Sequence, residues 1–110
     1  MNNSNDKFIS YFGIFTLNAL ANQDVEWNRV HRIEFHNPNN NTGNWIGAMK
    51  LYGRTSMQIG DLSICELTPL TQSNFQDFEE GMTLKLKRGS FEFGELRVLY
   101  YDDCTEFTRQ

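Results

Sequence analysis

Two histidines and a glutamate lie close together in the sequence and could act as metal ligands. His31, Glu34 and His36 fall within the stretch Arg29-Val-His-Arg-Ile-Glu-Phe-His, in which polar and apolar residues alternate. Such alternation is typical of a β-strand, whose neighbouring side chains point to opposite faces. His31 and His36 then lie on opposite faces, and Glu34 shares a face with His36 alone. Because two ligands do not make a site, we predict no metal site here.

The two cysteines, Cys65 and Cys104, are candidate nucleophiles or disulfide partners. A reactive cysteine needs a neighbouring histidine or a positive field that lowers the pKa of its thiol. Cys65 follows Ile64 and precedes Glu66 in a predicted strand, with no recognisable catalytic motif. We therefore interpret the cysteines as buried structural residues in the reduced state, and a disulfide between them remains an alternative.

Two groups of carboxylates could perform acid–base chemistry or bind a basic partner: Asp77, Glu79 and Glu80, and Asp102, Asp103 and Glu106. Acid–base catalysis requires a cleft that gives its two carboxyl groups different pKa values, and no such cleft is visible in the sequence. We predict no catalytic residues, no enzyme activity and no cofactor. Either group is a solvated turn or a docking surface for basic residues of a partner protein, and we expect one of them to contribute to an interface.

Composition narrows the class of protein further. The chain has 110 residues, 39% of them hydrophobic, which suits one folded domain over residues 1–110 with a frayed start at residues 1–6. A net charge of −4 disfavours nucleic-acid binding and favours a basic protein partner. The sequence contains no apolar run long enough to span a membrane and does not begin with a signal-like segment, so a cytoplasmic location is expected.

The elements that would carry these residues are short strands separated by turns. Strands are predicted over residues 8–12, 29–36, 45–53, 62–67, 83–87 and 91–100. Loops are predicted over residues 37–44 and 68–77, and tight turns at residues 59–61, 78–81 and 88–90. Gly94 indicates a bulge. Residues 14–28 allow either a short helix or a long hairpin connection. The fold class is mainly β, a small antiparallel β-barrel or sandwich.

A series of turn residues between residues 57 and 100 carries a family resemblance: Ile59-Gly60-Asp61, Leu67-Thr68-Pro69-Leu70, Glu80-Gly81, Leu84-Lys-Leu-Lys-Arg88-Gly89 and Gly94-Glu-Leu-Arg-Val-Leu99. Their order resembles the third, C-terminal β-barrel domain of translation elongation factor Tu. The resemblance implies a barrel in which Gly94 permits a close crossing of strands. The segment with which that family approaches transfer RNA has no recognisable counterpart, so the resemblance does not imply transfer-RNA binding.

A small acidic barrel without a catalytic set is typical of proteins that act by binding. In size, acidity and aromatic content the chain resembles bacterial immunity proteins, which neutralise a cognate toxin such as a nuclease with a basic cleft. We therefore expect a cytosolic immunity protein that blocks its partner sterically and electrostatically. The alternative is a stand-alone barrel similar to translation factors that binds transfer RNA, the ribosome or a factor partner.

Overall fold

The computed structural model of the chain describes residues 8–19, 27, 30–38, 44–74 and 79–105. Six strands and a short 3₁₀ helix over Gln72–Asn74 form the fold in these ranges. The strands are β1 (Ile9–Leu17), β2 (His31–His36), β3 (Trp45–Leu51), β4 (Leu62–Pro69), β5 (Thr83–Arg88) and β6 (Phe91–Asp103). They form a closed antiparallel barrel in the order β1-β4-β3-β2-β5-β6, which confirms the predicted fold class.

The first strand closes the barrel. β1 pairs with β4 from Tyr11–Leu67 to Thr16–Leu62. Along its other edge it pairs with β6 from Ile9–Asp103 to Leu17–Gly94. Because β1 hydrogen-bonds on both sides, the first and last strands of the barrel leave no open edge between them.

Alternate residues of every strand fill the interior. Phe15, Phe35, Met49, Leu67 and Leu86 are among the fully buried side chains of this core. The neighbouring positions point outward, as the period of two requires. In β5, for example, Leu84 and Leu86 lie inside while Lys85 and Lys87 lie outside. Within the described ranges, no helix is long and apolar enough to cross a membrane.

Two glycines let the strands approach closely at the closure. A Cβ atom at Gly13 of β1 would overlap the carbonyl oxygen of Arg97 on β6. A Cβ atom at Gly94 would lie 2.5 Å from the ring of Phe15 and from the carbonyl oxygen of Thr16. The predicted close crossing at Gly94 is therefore confirmed. The predicted bulge is also confirmed, because Leu86 pairs with Gly94 while Lys87 pairs with Glu92, which leaves Phe93 as the extra residue.

The observed strands differ from the predicted ones mainly in where they end. β1 continues to Leu17, so the start of the 14–28 segment is strand and not helix; residues 20–26, 28 and 29 lie outside the described residues. Pairing on both edges overrides the weak helical spacing at this point. β4 includes Thr68 and Pro69, which were predicted as loop and which pair with Ala48 and Gly47 of β3.

β6 is also longer than predicted and reaches Asp103, since Ser10 and Ile9 of β1 pair with Asp102 and Asp103. The predicted turns at Gly60, Gly81 and Gly89 are confirmed, and each of these glycines has a positive φ.

Replacing Gly13 by alanine tests the closure. The added Cβ would push against backbone of β6, which cannot rotate away, so we expect Gly13→Ala to lower the free energy of unfolding by about 3 kcal/mol. Gly89→Ala is the matched control, because its Cβ meets open space and its φ of 66° costs about 1 kcal/mol. Urea denaturation measures both. Equal losses for the two variants would contradict the close approach at Gly13.

Candidate functional site

The C-terminal end of β6 projects beyond the strand beside it. Pairing between β5 and β6 ends at Thr83–Arg97, whereas β6 continues against β1 to Asp103. Every residue from Leu99 to Asp103 is exposed. Asp102 and Asp103, two of the predicted interface residues, therefore lie on an ordered strand and not in a loose tail.

The turn before β5 holds a second pair of predicted residues beside β6. Glu79 and Glu80 are exposed, and the amide of Gly81 donates to the carbonyl of Val98 at 2.9 Å. The amide of Val98 in turn donates to the carbonyl of Met82 at 2.8 Å. The turn is thus held beside Val98 of β6.

Residues of both acidic groups, which the sequence offered as alternatives, therefore lie on or beside β6. Asp77 and Glu106 complete the predicted set, and both lie outside the described residues. The conclusion therefore rests on Glu79, Glu80, Asp102 and Asp103.

Exposed aromatic residues accompany these carboxylates. Tyr100 is 53% exposed, and its ring stacks on that of Phe12 with centroids 5.1 Å apart and an interplanar angle of 6°. Tyr101 and Leu99 are exposed beside it. The sequence could not say which large aromatics would be accessible, and the structure selects Tyr100 and Tyr101 while it buries Trp27.

The apolar surface continues across the outside of β1 onto β4. Ile14 of β1 pairs with Ile64 of β4, which is 52% exposed. Leu62, two residues before Ile64, is 58% exposed. We call this surface the apolar wall: Leu62, Ile64, Ile14, Tyr100 and Phe12, the last of which is buried against the Tyr100 ring.

A buried carboxylate holds the end of β6 in place. Glu66 of β4 is 2% exposed, although it points away from the barrel core. Its Oε1 accepts hydrogen bonds from the hydroxyls of Tyr52 at 2.5 Å and Thr105 at 2.6 Å. Its Oε2 accepts from the Ser10 hydroxyl at 2.8 Å and the Thr105 amide at 3.0 Å.

The hydrogen bonds decide the charge of Glu66. Burial alone raises the pKa of this carboxyl group, but the donors from Thr105, Tyr52 and Ser10 outweigh burial and hold the pKa below its usual value. The ionised group thus fastens Thr105 to the barrel wall, and the Cys104 amide adds a bond of 2.7 Å to the carbonyl of Phe8. Sequence reasoning missed Glu66, because alternation places it on the outer face, where a glutamate is ordinarily solvated.

The two cysteines are buried inside the protein. Within the described residues Cys65 and Cys104 form no disulfide bond, in agreement with their interpretation as structural residues. Burial, aided by the neighbouring charge of Glu66, raises the pKa of the Cys65 thiol, so this group stays protonated and unreactive.

The histidines also lie apart, as predicted. His31 packs on Trp27 with ring centroids 5.6 Å apart, and His36 lies at the other end of β2. In the part of the chain that the structure describes, no three His, Cys, Asp or Glu side chains are grouped closely enough to hold a metal ion.

Replacing Glu66 by glutamine tests the role of the buried charge. A depressed pKa contributes stability that is present above the unfolded pKa of about 4.3 and is lost as pH falls through the folded pKa. We expect Glu66→Gln to lose about 2 kcal/mol of unfolding free energy at pH 7, because one oxygen acceptor becomes a donor facing the Thr105 amide.

The same substitution should flatten the loss of stability as pH falls below about 4.3, and hydrogen exchange at the Thr105 amide should become faster. Glu92→Gln is the control, since Glu92 is a more exposed carboxylate 3.6 Å from Lys85. Urea titrations across pH and amide exchange by NMR supply the measurements. If Glu66→Gln were as stable as Glu92→Gln and its Thr105 amide exchanged at the wild-type rate, Glu66 would not fasten the segment after β6.

Comparison with known proteins adds no family to this description. The chain matches no protein-family model and no curated protein.

Proposed function

We propose that this chain is a non-catalytic protein-binding module that contacts its partner through the apolar wall and the carboxylates at its end. The observation that carries the proposal is the exposure of large apolar side chains on β4 and β6, the two strands that flank β1. Soluble monomers rarely expose contiguous apolar surface of this kind unless it binds something. Tyrosine is also enriched among the residues that dominate binding energy, and Tyr100 is held rigid by its stack on Phe12.

The charges at the end of the wall define the chemistry of the partner. Asp102, Asp103, Glu79 and Glu80 are exposed around the protruding end of β6. A partner that complements this surface offers an apolar patch bordered by lysines or arginines. Opposite charge would steer its approach and raise the association rate, while the aromatic contact would set the lifetime of the complex.

The specific function that we propose is that of a cytoplasmic immunity protein. A toxin such as a nuclease has a basic cleft that binds the phosphates of its substrate. The carboxylates of β6 would occupy that cleft instead of the phosphates. Neutralisation would then be steric and electrostatic, with no chemical step. Support for this function comes from the acidic, aromatic end of the barrel and from the net charge of −4.

A second candidate function is that of a stand-alone barrel similar to translation factors. The positive φ angles at Gly60, Gly81 and Gly89 favour it, because these turns carry the resemblance to elongation factor Tu. Co-purification with ribosomes or transfer RNA from the native host would support this function, and recovery of a basic toxin would support the first.

Charge reversal and aromatic truncation test the proposed surface. We expect the double substitution Asp102→Lys and Asp103→Lys to slow association with the purified partner by about tenfold at low salt, and to weaken its salt dependence. Tyr100→Ala should instead speed dissociation, with a loss of about 2 kcal/mol of binding free energy. Partners are recovered by affinity purification and mass spectrometry, and rates are measured by surface plasmon resonance.

The matched control is Glu34→Lys, which reverses a charge on β2, on the other side of the barrel. It should leave both rates within about twofold of the wild type. If the double variant Asp102→Lys, Asp103→Lys and the single variant Tyr100→Ala also left both rates unchanged, the partner would bind elsewhere. The proposed surface would then be wrong.

A further inference from the structure

The side of the barrel opposite the apolar wall carries a groove that the proposed function does not use. In the strand order of the barrel, β2 lies three strands from β1 in either direction. The groove has a volume of about 220 Å³ and lies between β2, β3 and the hairpin that joins β5 to β6. Its lining residues are Arg32, Ile33, Glu34, Ile46, Arg88 and Gly89.

The groove exists because two strands separate at this point. Pairing between β2 and β5 ends at Glu34–Lys87, although β2 continues back to His31 and β5 continues to Arg88. The bulge at Phe93 lies in the same hairpin. The guanidinium carbon of Arg88 lies over the Phe93 ring at 5.8 Å from its centroid.

The lining of the groove contains more positive than negative side chains. Neither Arg32 nor Arg88 has a carboxylate within ion-pair distance among the described residues, and Glu34 in the same lining pairs with neither. The lining therefore has two cations and one anion in a protein whose net charge is −4. Ile46, 41% exposed, supplies an apolar side to the same groove.

We propose that this groove binds a carboxylate that carries a short apolar group. Planar guanidinium groups match the two oxygens of a carboxylate, and the apolar group would rest on Ile46. Glu34 disfavours phosphate as a ligand. Phosphate carries a second negative charge at neutral pH, and the Glu34 carboxylate would repel it. The groove is smaller than the roughly 300–1,000 Å³ of sites for drug-sized ligands, so the ligand contributes one functional group and a few carbons.

An NMR titration with butanoate tests this site on the whole chain. At constant ionic strength and pH 7, sodium butanoate should cause saturable shifts at the amides of Ile33, Ile46 and Gly89. Butyramide, which has the same shape and no charge, should cause none. Arg32→Gln and Arg88→Gln should each raise the dissociation constant about tenfold, whereas Glu34→Gln should lower it.

Arg97→Gln is the matched control, because it removes the same charge from an exposed arginine of β6 outside the groove. It should leave the dissociation constant within about twofold of the wild type. The carboxylate site is refuted if butyramide shifts the same amides, if phosphate binds more tightly than butanoate, or if Arg97→Gln weakens binding as much as Arg88→Gln.

A second NMR titration identifies the source of the carboxylate. Acetylated Gly-Leu with a free C-terminus is compared with its C-terminal amide. Binding of the free acid at least tenfold more tightly than butanoate would assign the groove to the C-terminus of a protein chain. Binding no tighter than butanoate would assign it to a small free acid.

Discussion

Closure of the barrel at β1 is the constraint on which the rest of the structure depends. β1 pairs with β4 and β6 at once, and Gly13 and Gly94 allow this because any side chain at either position would meet the opposing strand. Closure joins residues that are far apart in the sequence into one outer surface. Ile14 lies beside Ile64 on one side, and Phe12 lies beside Tyr100 on the other. The apolar wall is therefore a product of closure, since no single hairpin contains it.

The buried carboxylate of Glu66 extends this constraint beyond the barrel. Four hydrogen bonds satisfy its oxygens, two of them from Thr105, so the chain after β6 is fastened to the outer face of β4. A salt bridge is not needed for this, because hydroxyl and amide donors solvate the charge. Asp102 and Asp103 precede this anchor and pair with Ser10 and Ile9 of β1, which keeps them in strand conformation. A partner that binds them would meet carboxylates already in position, which lowers the entropic cost of association.

The sequence predicted the architecture better than the site. Alternation predicted six strands close to those observed, and glycines marked the turns, because both signals act within a few residues. Strand ends were missed at Leu17, Thr68 and Asp103, since pairing with a distant strand decides where each strand stops. Glu79, Glu80, Asp102 and Asp103 were named from their charge, but the placement of Glu79 and Glu80 beside β6 depends on the bond between Gly81 and Val98. The burial of Glu66 and the groove at Arg88 depend on tertiary contacts that no local pattern encodes.

β6 contributes to both surfaces, and its alternation is interrupted near each of them. In a regular strand of a closed barrel, one residue in two points outward and surfaces on neighbouring strands repeat. β6 contains two register shifts, with Phe93 and Leu99 as the extra residues. Leu99 and Tyr100 are exposed in succession, which concentrates apolar area beside the acidic end of the strand. Phe93 lies in the hairpin that carries Arg88, one of the residues that line the groove. Because a bulge lets successive side chains depart from regular alternation, one long strand can present different surfaces at its two ends.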